Sequence, residues 1–295
     1  MFKGSAVALV TPMHTDTSID FDALIDLVEW QVSSGTQALV INGTTAETPT
    51  LSWSEQCQII EAVVQKVNGR IPIIVGTGSN ATAQVIERNK IVSSMGVDGL
   101  LIVSPYYNKP TQQGLISHFE SIAEHTDLPI LLYNHPGRTG VDLEPEAVIH
   151  LSQQKNIVGI KEVSGDLHRI QAYKQKCHPD SNGAGFHVYC GDDAVNLPFI
   201  LQGGDGVISV SANIVPTFMQ QMCEYALLND ITNAQILDAK MQPLNDLLAV
   251  ESNPIPVKWA LHLMGKISTG IRLPLIELTE VHRAPLKQIL KVFGE

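Results

Sequence analysis

Lys161 closes the apolar run Ile157-Val158-Gly159-Ile160-Lys161-Glu162, and an earlier run of the same kind ends Leu131-Leu132-Tyr133-Asn134. An amine at the tip of a buried strand is poorly solvated, which disfavours its charged form and leaves the free base available as a nucleophile. The chemistry open to such an amine is imine formation with a carbonyl substrate. Read in isolation, the same residue has a plainer alternative, a strand-end lysine that snorkels into water.

Other apolar runs end in groups that this chemistry could use. They close with Asn42-Gly43-Thr44-Thr45-Ala46-Glu47, Ser104-Pro105-Tyr106-Tyr107-Asn108, Tyr133-Asn134-His135-Pro136-Gly137-Arg138-Thr139-Gly140, Gly191-Asp192-Asp193 and Gly206-Val207-Ile208-Ser209. A covalent amine mechanism moves protons to and from a carbinolamine and an enamine, and hydroxyls can carry them. It also needs a cradle for a substrate carboxylate, which Arg138 and the Thr44-Thr45 turn can supply. Singly, a strand-end tyrosine is packing with a wet hydroxyl, and Gly-Thr-Thr is a helix cap. Their joint occurrence around one lysine carries the reading.

The elements that must position these residues alternate along the chain. Short β-branched runs begin near Ser5, Ala38, Ile71, Gly99, Pro129, Ile157, His187 and Gly206. Between them lie segments of helical period such as Phe21 to Val32 and Gln56 to Val67. Strands that read as almost wholly apolar are covered on both faces, so the sheet is parallel with helices outside it. Eight such units fit the roughly 250 residues of a (β/α)8 TIM barrel, with a C-terminal helical extension following. The expected division is a catalytic barrel over 1–224 and the extension over 225–295. Asp20, the Ser52/Glu55 pair and Asn80 read as helix starts. In such a barrel the site lies at the C-terminal ends of the strands, where all the groups above would meet.

Composition narrows the partners. With 30 acidic against 19 basic residues and a net charge of -11, nucleic acid and anionic membranes are poor partners. Four cysteines, at 57, 177, 190 and 223, show no C-x-x-C pairing. Met1-Phe2-Lys3-Gly4 leads straight into a strand-like run without a secretory leader, so a reduced, cytoplasmic protein is expected. No H-E-x-x-H or paired Cys/His spacing suggests a metal, and Asp192-Asp193 reads as turn chemistry or a helix cap before it reads as a Mg2+ site. Gly76-Thr77-Gly78-Ser79-Asn80-Ala81 fits a dinucleotide fingerprint, but the acid that should close the next strand, Asp98, stands before it.

Six ordered motifs resemble dihydrodipicolinate synthases: Gly43-Thr44-Thr45-x-Glu47, Ser104-Pro105-Tyr106-Tyr107-Asn108-x-Pro110, Tyr133-Asn134-x-Pro136-x-Arg138-Thr139-Gly140, Gly159-Ile160-Lys161-Glu162, Gly191-Asp192-Asp193 and Gly206-Val207-Ile208-Ser209. The match continues through Asn253-Pro254-Ile255-Pro256-Val257-Lys258. The resemblance implies a cytoplasmic lyase of lysine and diaminopimelate biosynthesis. It condenses pyruvate with L-aspartate 4-semialdehyde to 4-hydroxy-tetrahydrodipicolinate, with no metal or organic cofactor. It assigns the imine to Lys161 and a proton relay to Tyr133, Thr44 and Tyr107. Thr45 and the backbone at Ile208 would hold the pyruvate carboxylate, and Arg138 that of the semialdehyde. It implies a homotetramer built as a dimer of dimers, with Tyr107 donated across the tight dimer. N-acetylneuraminate lyase and 2-keto-3-deoxy sugar acid aldolases share the barrel and the lysine, but they generally lack the Arg138-Thr139-Gly140 sequence.

Three departures matter. Ala46 replaces the usual glycine, which is tolerable only at negative φ. His135, beside Tyr133, reads as structural, on the expectation that alternation turns it away from the site. The relatives' lysine-effector site has a histidine and a glutamate where this chain has Gln56 and Gln84; Asn80 and Tyr106 are retained, while Pro49 and Trp53 differ. Weak or absent lysine inhibition is the expectation.

Overall fold

The structure, a computed structural model, describes residues 1–178 and 185–294. Eight parallel strands form one closed barrel in sequence order: β1 (Gly4–Ala8), β2 (Ala38–Ile41), β3 (Ile73–Gly76), β4 (Gly99–Val103), β5 (Ile130–Asn134), β6 (Ile157–Glu162), β7 (His187–Cys190) and β8 (Gly206–Ser209). β1 pairs with both β2 and β8, which leaves no free edge. The helices are α1 (Phe21–Ser33), α2 (Trp53–Val67), α3 (Thr82–Val92), α4 (Gln112–Ala123), α5 (Pro136–Thr139), α6 (Pro145–Leu151), α7 (His168–Lys176), α8 (Asn196–Leu201), α9 (Pro216–Leu227), α10 (Ile231–Leu248), α11 (Ile255–Leu263) and α12 (Glu280–Leu290). The (β/α)8 barrel with a helical C-terminal extension is the architecture read from the strand spacing.

The strands are apolar throughout because each has two buried faces. Ala6, Ala8, Ala38, Val40, Ile74, Leu101, Leu131, Tyr133, Val158, Tyr189 and Ile208 form one cluster. Val7, Leu39, Ile41, Val75, Ile102, Leu132 and Ile160 pack into the separate cluster that joins strands to helices. Alternate residues thus fill the barrel or meet the helices, and each buried aliphatic side chain contributes about 1.5–3 kcal/mol. α9 spans residue 225, the expected start of the extension. α10 packs on α9 and α12.

Local signals placed two of the three expected helix starts. The Asp20 carboxylate accepts from Ala23 N at 2.9 Å, and Ser52 with Glu55 forms a full capping box. The third differs. α3 is entered from Ala81 without a side-chain cap, and Asn80 instead donates to the Tyr106 carbonyl (3.2 Å) while its own carbonyl accepts from Asn108 Nδ2 (2.9 Å). Asn80 is therefore a fastener for the loop after β4. No helix among the described residues is long and apolar enough to cross a membrane.

Candidate active site at the C-terminal mouth of the barrel

Lys161 and Tyr133 meet because of one irregularity between β5 and β6. Ile130 pairs with Ile157, but Leu131 pairs with Gly159, and the shift brings Tyr133 opposite Lys161. Without it Tyr133 would face Ile160, and the amine would lie on the helix side of the sheet, since a one-residue slip inverts every side chain. Gly159 permits the shift: a Cβ there would stand 2.5 Å from the His187 carbonyl oxygen. Lys161 is 6% exposed and its Nζ lies 4.5 Å from the centroid of the Tyr133 ring. Among the described residues, this ring contact is the direct partner of the amine; no carboxylate and no hydrogen bond holds it.

Gly191, the residue after β7, leaves room for the amine's stem. A methyl group at this position would lie 2.4 Å from Lys161 Cε and 2.5 Å from Val163 Cγ2.

The residue after the lysine faces the other way. Glu162 is buried and accepts from Asn134 Nδ2 (3.0 Å), Val163 N (3.0 Å), Ser164 N (2.8 Å) and Tyr173 OH (3.0 Å). Burial pushes its carboxyl above the usual carboxylate range, against the pull of those donors and of Arg169. Asn134 and Glu162 tie the ends of β5 and β6 together directly behind the Tyr133–Lys161 pair.

An open cleft of about 640 Å³ lies over Lys161, lined among others by Thr44, Thr45, Tyr133, His135, Arg138 and Asn253. Thr44 and Thr45 sit in a 3-10 turn, Thr44–Ala46, and among the described residues no acceptor lies within hydrogen-bond reach of their backbone N–H groups. Free donors at the start of a helical turn suit an anion. Arg138, on α5, reaches the rim, where its Nη2 donates to the Asn253 carbonyl at 3.5 Å. Ile208 is fully buried on β8, in the same interior cluster as Tyr133.

Tyr107 does not join them. Its side chain is 89% exposed, its backbone is left-handed at φ 74°, and it lines neither this cleft nor its neighbour. Such a backbone costs a non-glycine residue on the order of 1–3 kcal/mol and marks a loop held in a set shape.

His135 departs from its expected orientation. Positions 133 and 135 are two apart, so alternation puts them on the same side, and both line the cleft with their rings 6.1 Å apart. Burial, then the cations of Arg138 and Lys161, lower His135 to about 4, so the ring is neutral at physiological pH. Ala46 avoids the left-handed region and accepts at its carbonyl from Thr11 Oγ1 (2.9 Å); Glu47 takes the left-handed position instead, at φ 57°.

Other candidates have structural duties. Asp192 caps the turn after β7 through Ala194 N (3.1 Å), and Asp193 accepts from Val210 N (2.8 Å) and Ser211 N (2.7 Å). Among the described residues no cluster of His, Cys, Asp or Glu could hold a metal ion. Gly76 and Gly78 press against Asn42 O and Val103 N, and Asp98 accepts from Ile73 N (2.8 Å), so the dinucleotide pattern is strand packing. Sequence reasoning gave no site role to Asn253, whose Nδ2 donates to Thr45 Oγ1 at 3.0 Å. Its position in the Asn253 to Lys258 motif was the available signal.

A (β/α)8 barrel with a lysine amine on β6 unpaired among the described residues, a tyrosine opposite, and an arginine and free backbone donors at the rim has the constitution of a Schiff-base-forming lyase. The family model for the dihydrodipicolinate synthetase family matches residues 1–293, and the chain belongs to that family. It is 47% identical over 294 residues to the 4-hydroxy-tetrahydrodipicolinate synthase of Cellvibrio japonicus, covering 100% of both chains. It is 48% identical to that of Pseudomonas savastanoi pv. phaseolicola, covering 100% of this chain and 99% of the other. Among solved structures, the chloride-inhibited dihydrodipicolinate synthase of Acinetobacter baumannii complexed with pyruvate superposes with a TM-score of 0.95 at 48% identity, covering 100% and 99% of the two chains. A monomeric dihydrodipicolinate synthase variant superposes equally well, with a TM-score of 0.95, at 39% identity and 99% and 97% coverage.

Proposed function

We propose that this chain condenses pyruvate with L-aspartate 4-semialdehyde to give 4-hydroxy-tetrahydrodipicolinate. The observation that carries the reading is the buried Lys161 amine, free of any carboxylate among the described residues and opening to a cleft whose rim holds Arg138. The relatives bear the name of this activity over the full length of the chain.

The Lys161 amine adds to the C2 carbonyl of pyruvate, and the carbinolamine loses water to form the imine. Removal of a methyl proton gives the enamine, whose carbon attacks the aldehyde of the semialdehyde. Tyr133 donates and accepts these protons, with Thr44 and Tyr107 as the rest of the relay. The amino group of the second substrate then displaces Lys161 from the imine carbon, closing the ring and freeing the enzyme. Thr45 and the backbone at Ile208 hold the pyruvate carboxylate, and Arg138 holds that of the semialdehyde. No external cofactor takes part, because the imine on Lys161 supplies the electron sink.

Tyr107 serves this relay in a neighbouring subunit of a homotetramer assembled from tight dimers. Its 89% exposure and left-handed backbone support that reading. The reaction belongs to lysine and diaminopimelate synthesis in the cytoplasm, and the enzyme is weakly or not inhibited by lysine.

Borohydride reduction with pyruvate, followed by intact and peptide mass measurement, tests the chemistry. A pyruvyl adduct on Lys161 is expected; an adduct elsewhere, or none, overturns the mechanism. Turnover with aspartate semialdehyde in preference to N-acetylmannosamine or glyceraldehyde tests the second substrate.

A further inference from the structure

Glu47 and Lys258 form an ion pair with both side chains almost wholly inaccessible, at 0% and 5% exposure. The proposed chemistry does not use either group. A buried ion pair is poor value as a source of stability, because desolvating both charges offsets most of their attraction and apolar residues of like size serve as well. What such a pair supplies is fixed geometry, and the surroundings of Glu47 indicate which geometry is being fixed.

Glu47 directly follows the Thr44–Ala46 turn and takes the left-handed backbone that ends it. Its Oε1 faces Lys258 Nζ from α11, and its Oε2 accepts from Arg272 N at 3.0 Å. The Arg272 side chain donates onward to Thr50 O (2.8 Å) and to both Glu55 oxygens (3.0 and 2.5 Å). Asn253 adds its bond to Thr45 Oγ1. Residues 253, 258 and 272, all beyond the barrel, thus grip the Thr44–Ala46 turn, whose free N–H groups border the cleft over Lys161.

We infer that Glu47 and Lys258 are positioning residues, through which the C-terminal extension sets the Thr44–Thr45 turn to receive the carboxylate of the keto acid bound on Lys161. The inference rests on the reading of Lys161 given above. It assigns the extension a part in substrate binding in addition to packing.

The test is borohydride trapping of the pyruvyl adduct across a range of pyruvate concentrations, in the full-length protein, with Tm measured alongside. Lys258→Met and the double variant Glu47→Gln/Lys258→Met are compared with wild type and with Lys174→Met. The last breaks a second close ion pair, Lys174 with Asp205, which ties the β7 and β8 entries through Val188 N (2.8 Å) at the opposite end of the barrel. Lys258→Met and the double variant are expected to need at least about tenfold more pyruvate for half-maximal adduct, since small misplacements of a binding group cost that much or more. Lys174→Met is expected to lose Tm while trapping at the wild-type concentration. The double variant leaves no unpaired buried charge, so it carries the comparison if Lys258→Met does not fold. An unchanged half-saturation in the double variant, or an equal shift in Lys174→Met, overturns the positioning role alone. Absence of an adduct in wild type overturns the reading of Lys161 and this inference with it.

Discussion

Lys161 Nζ lies 4.5 Å from the Tyr133 ring centroid, and the two residues are register partners only because β5 and β6 slip by one position below them. An aromatic face at this distance attracts a cation, and among the described residues the phenol hydroxyl has no hydrogen bond. These two contributions separate in Tyr133→Phe, which keeps the ring and removes the hydroxyl. We expect kcat to fall by about 10²–10⁴-fold, the usual worth of a positioned acid–base group, with the pyruvyl adduct still trapped by borohydride. Steady-state kinetics with parallel trapping read both, and a kcat close to wild type would remove Tyr133 from the relay.

Gly191→Ala tests whether the amine must lie where it does. The added methyl meets Lys161 Cε at 2.4 Å and Val163 Cγ2 at 2.5 Å. Both are side-chain atoms, so the fold gives way locally and the lysine is displaced. An aldolase-type centre misplaced by about 1 Å loses on the order of 10²-fold in rate. Kinetics and circular dichroism on the same sample should show that loss with the secondary structure intact; wild-type kcat would mean that the stem is free to move.

The strand and helix pattern was legible because barrel strands with two buried faces leave continuous apolar runs. The ends of β2, β5, β6 and β7 carry Thr44, Tyr133, Lys161 and Gly191 to one cleft, as their apolar runs imply, whereas Tyr107 after β4 lies outside it. The slip at Gly159 was not legible, since nothing in Ile157-Val158-Gly159-Ile160 says which residue goes unpaired, and the face presented by Lys161 depended on it. His135 lies on the same side as Tyr133 because the two are two positions apart, not adjacent. Asn80 reads locally as a cap because its competing partner, the Tyr106 carbonyl, lies in another loop. The clamp on Glu47 joins residues about two hundred positions apart, beyond the reach of local pattern.

Acid should weaken the fold through buried histidine. Burial lowers His118 to about 4; its Nδ1 pairs with Thr82 Oγ1 at 2.9 Å, and its buried Nε2 has no hydrogen bond among the described residues. The unfolded chain binds this proton more readily than the folded one. The stabilisation is therefore full above pH 6.5 and is lost as pH falls toward 4. His118 alone accounts for about 2 kcal/mol between pH 7 and pH 5, and His135 adds in the same direction. Urea unfolding at the two pH values should show a smaller difference for His118→Gln than for wild type, and equal differences would clear His118 of the effect.

The adjoining cleft, about 390 Å³, shares Thr44, Tyr133, His135 and Arg138 with the one over Lys161 and is lined also by Pro49, Gln56, Arg88 and Tyr106; it is expected to hold a lysine effector poorly. The Gln56 amide already donates to Thr48 O (3.4 Å) and Leu51 O (3.0 Å), and Gln84 Oε1 accepts from Ser79 Oγ at 2.5 Å. The guanidinium of Arg88 sits over the Trp53 ring at 5.3 Å, so a cation lines the wall of the cleft. An entering ammonium meets a like charge and finds amides in place of a carboxylate, giving up much of a charge-assisted contact of about 1.5–3 kcal/mol. Lysine at millimolar concentration should leave the rate almost unchanged, whereas half-inhibition below 1 mM, on the order of −4 kcal/mol or better in binding, would contradict this account. Gln84→Glu with Arg88→Ala restores the anionic partner and removes the repulsion, so lysine sensitivity should rise in that variant; the ratio of its inhibition constant to that of wild type measures how far charge alone decides the response.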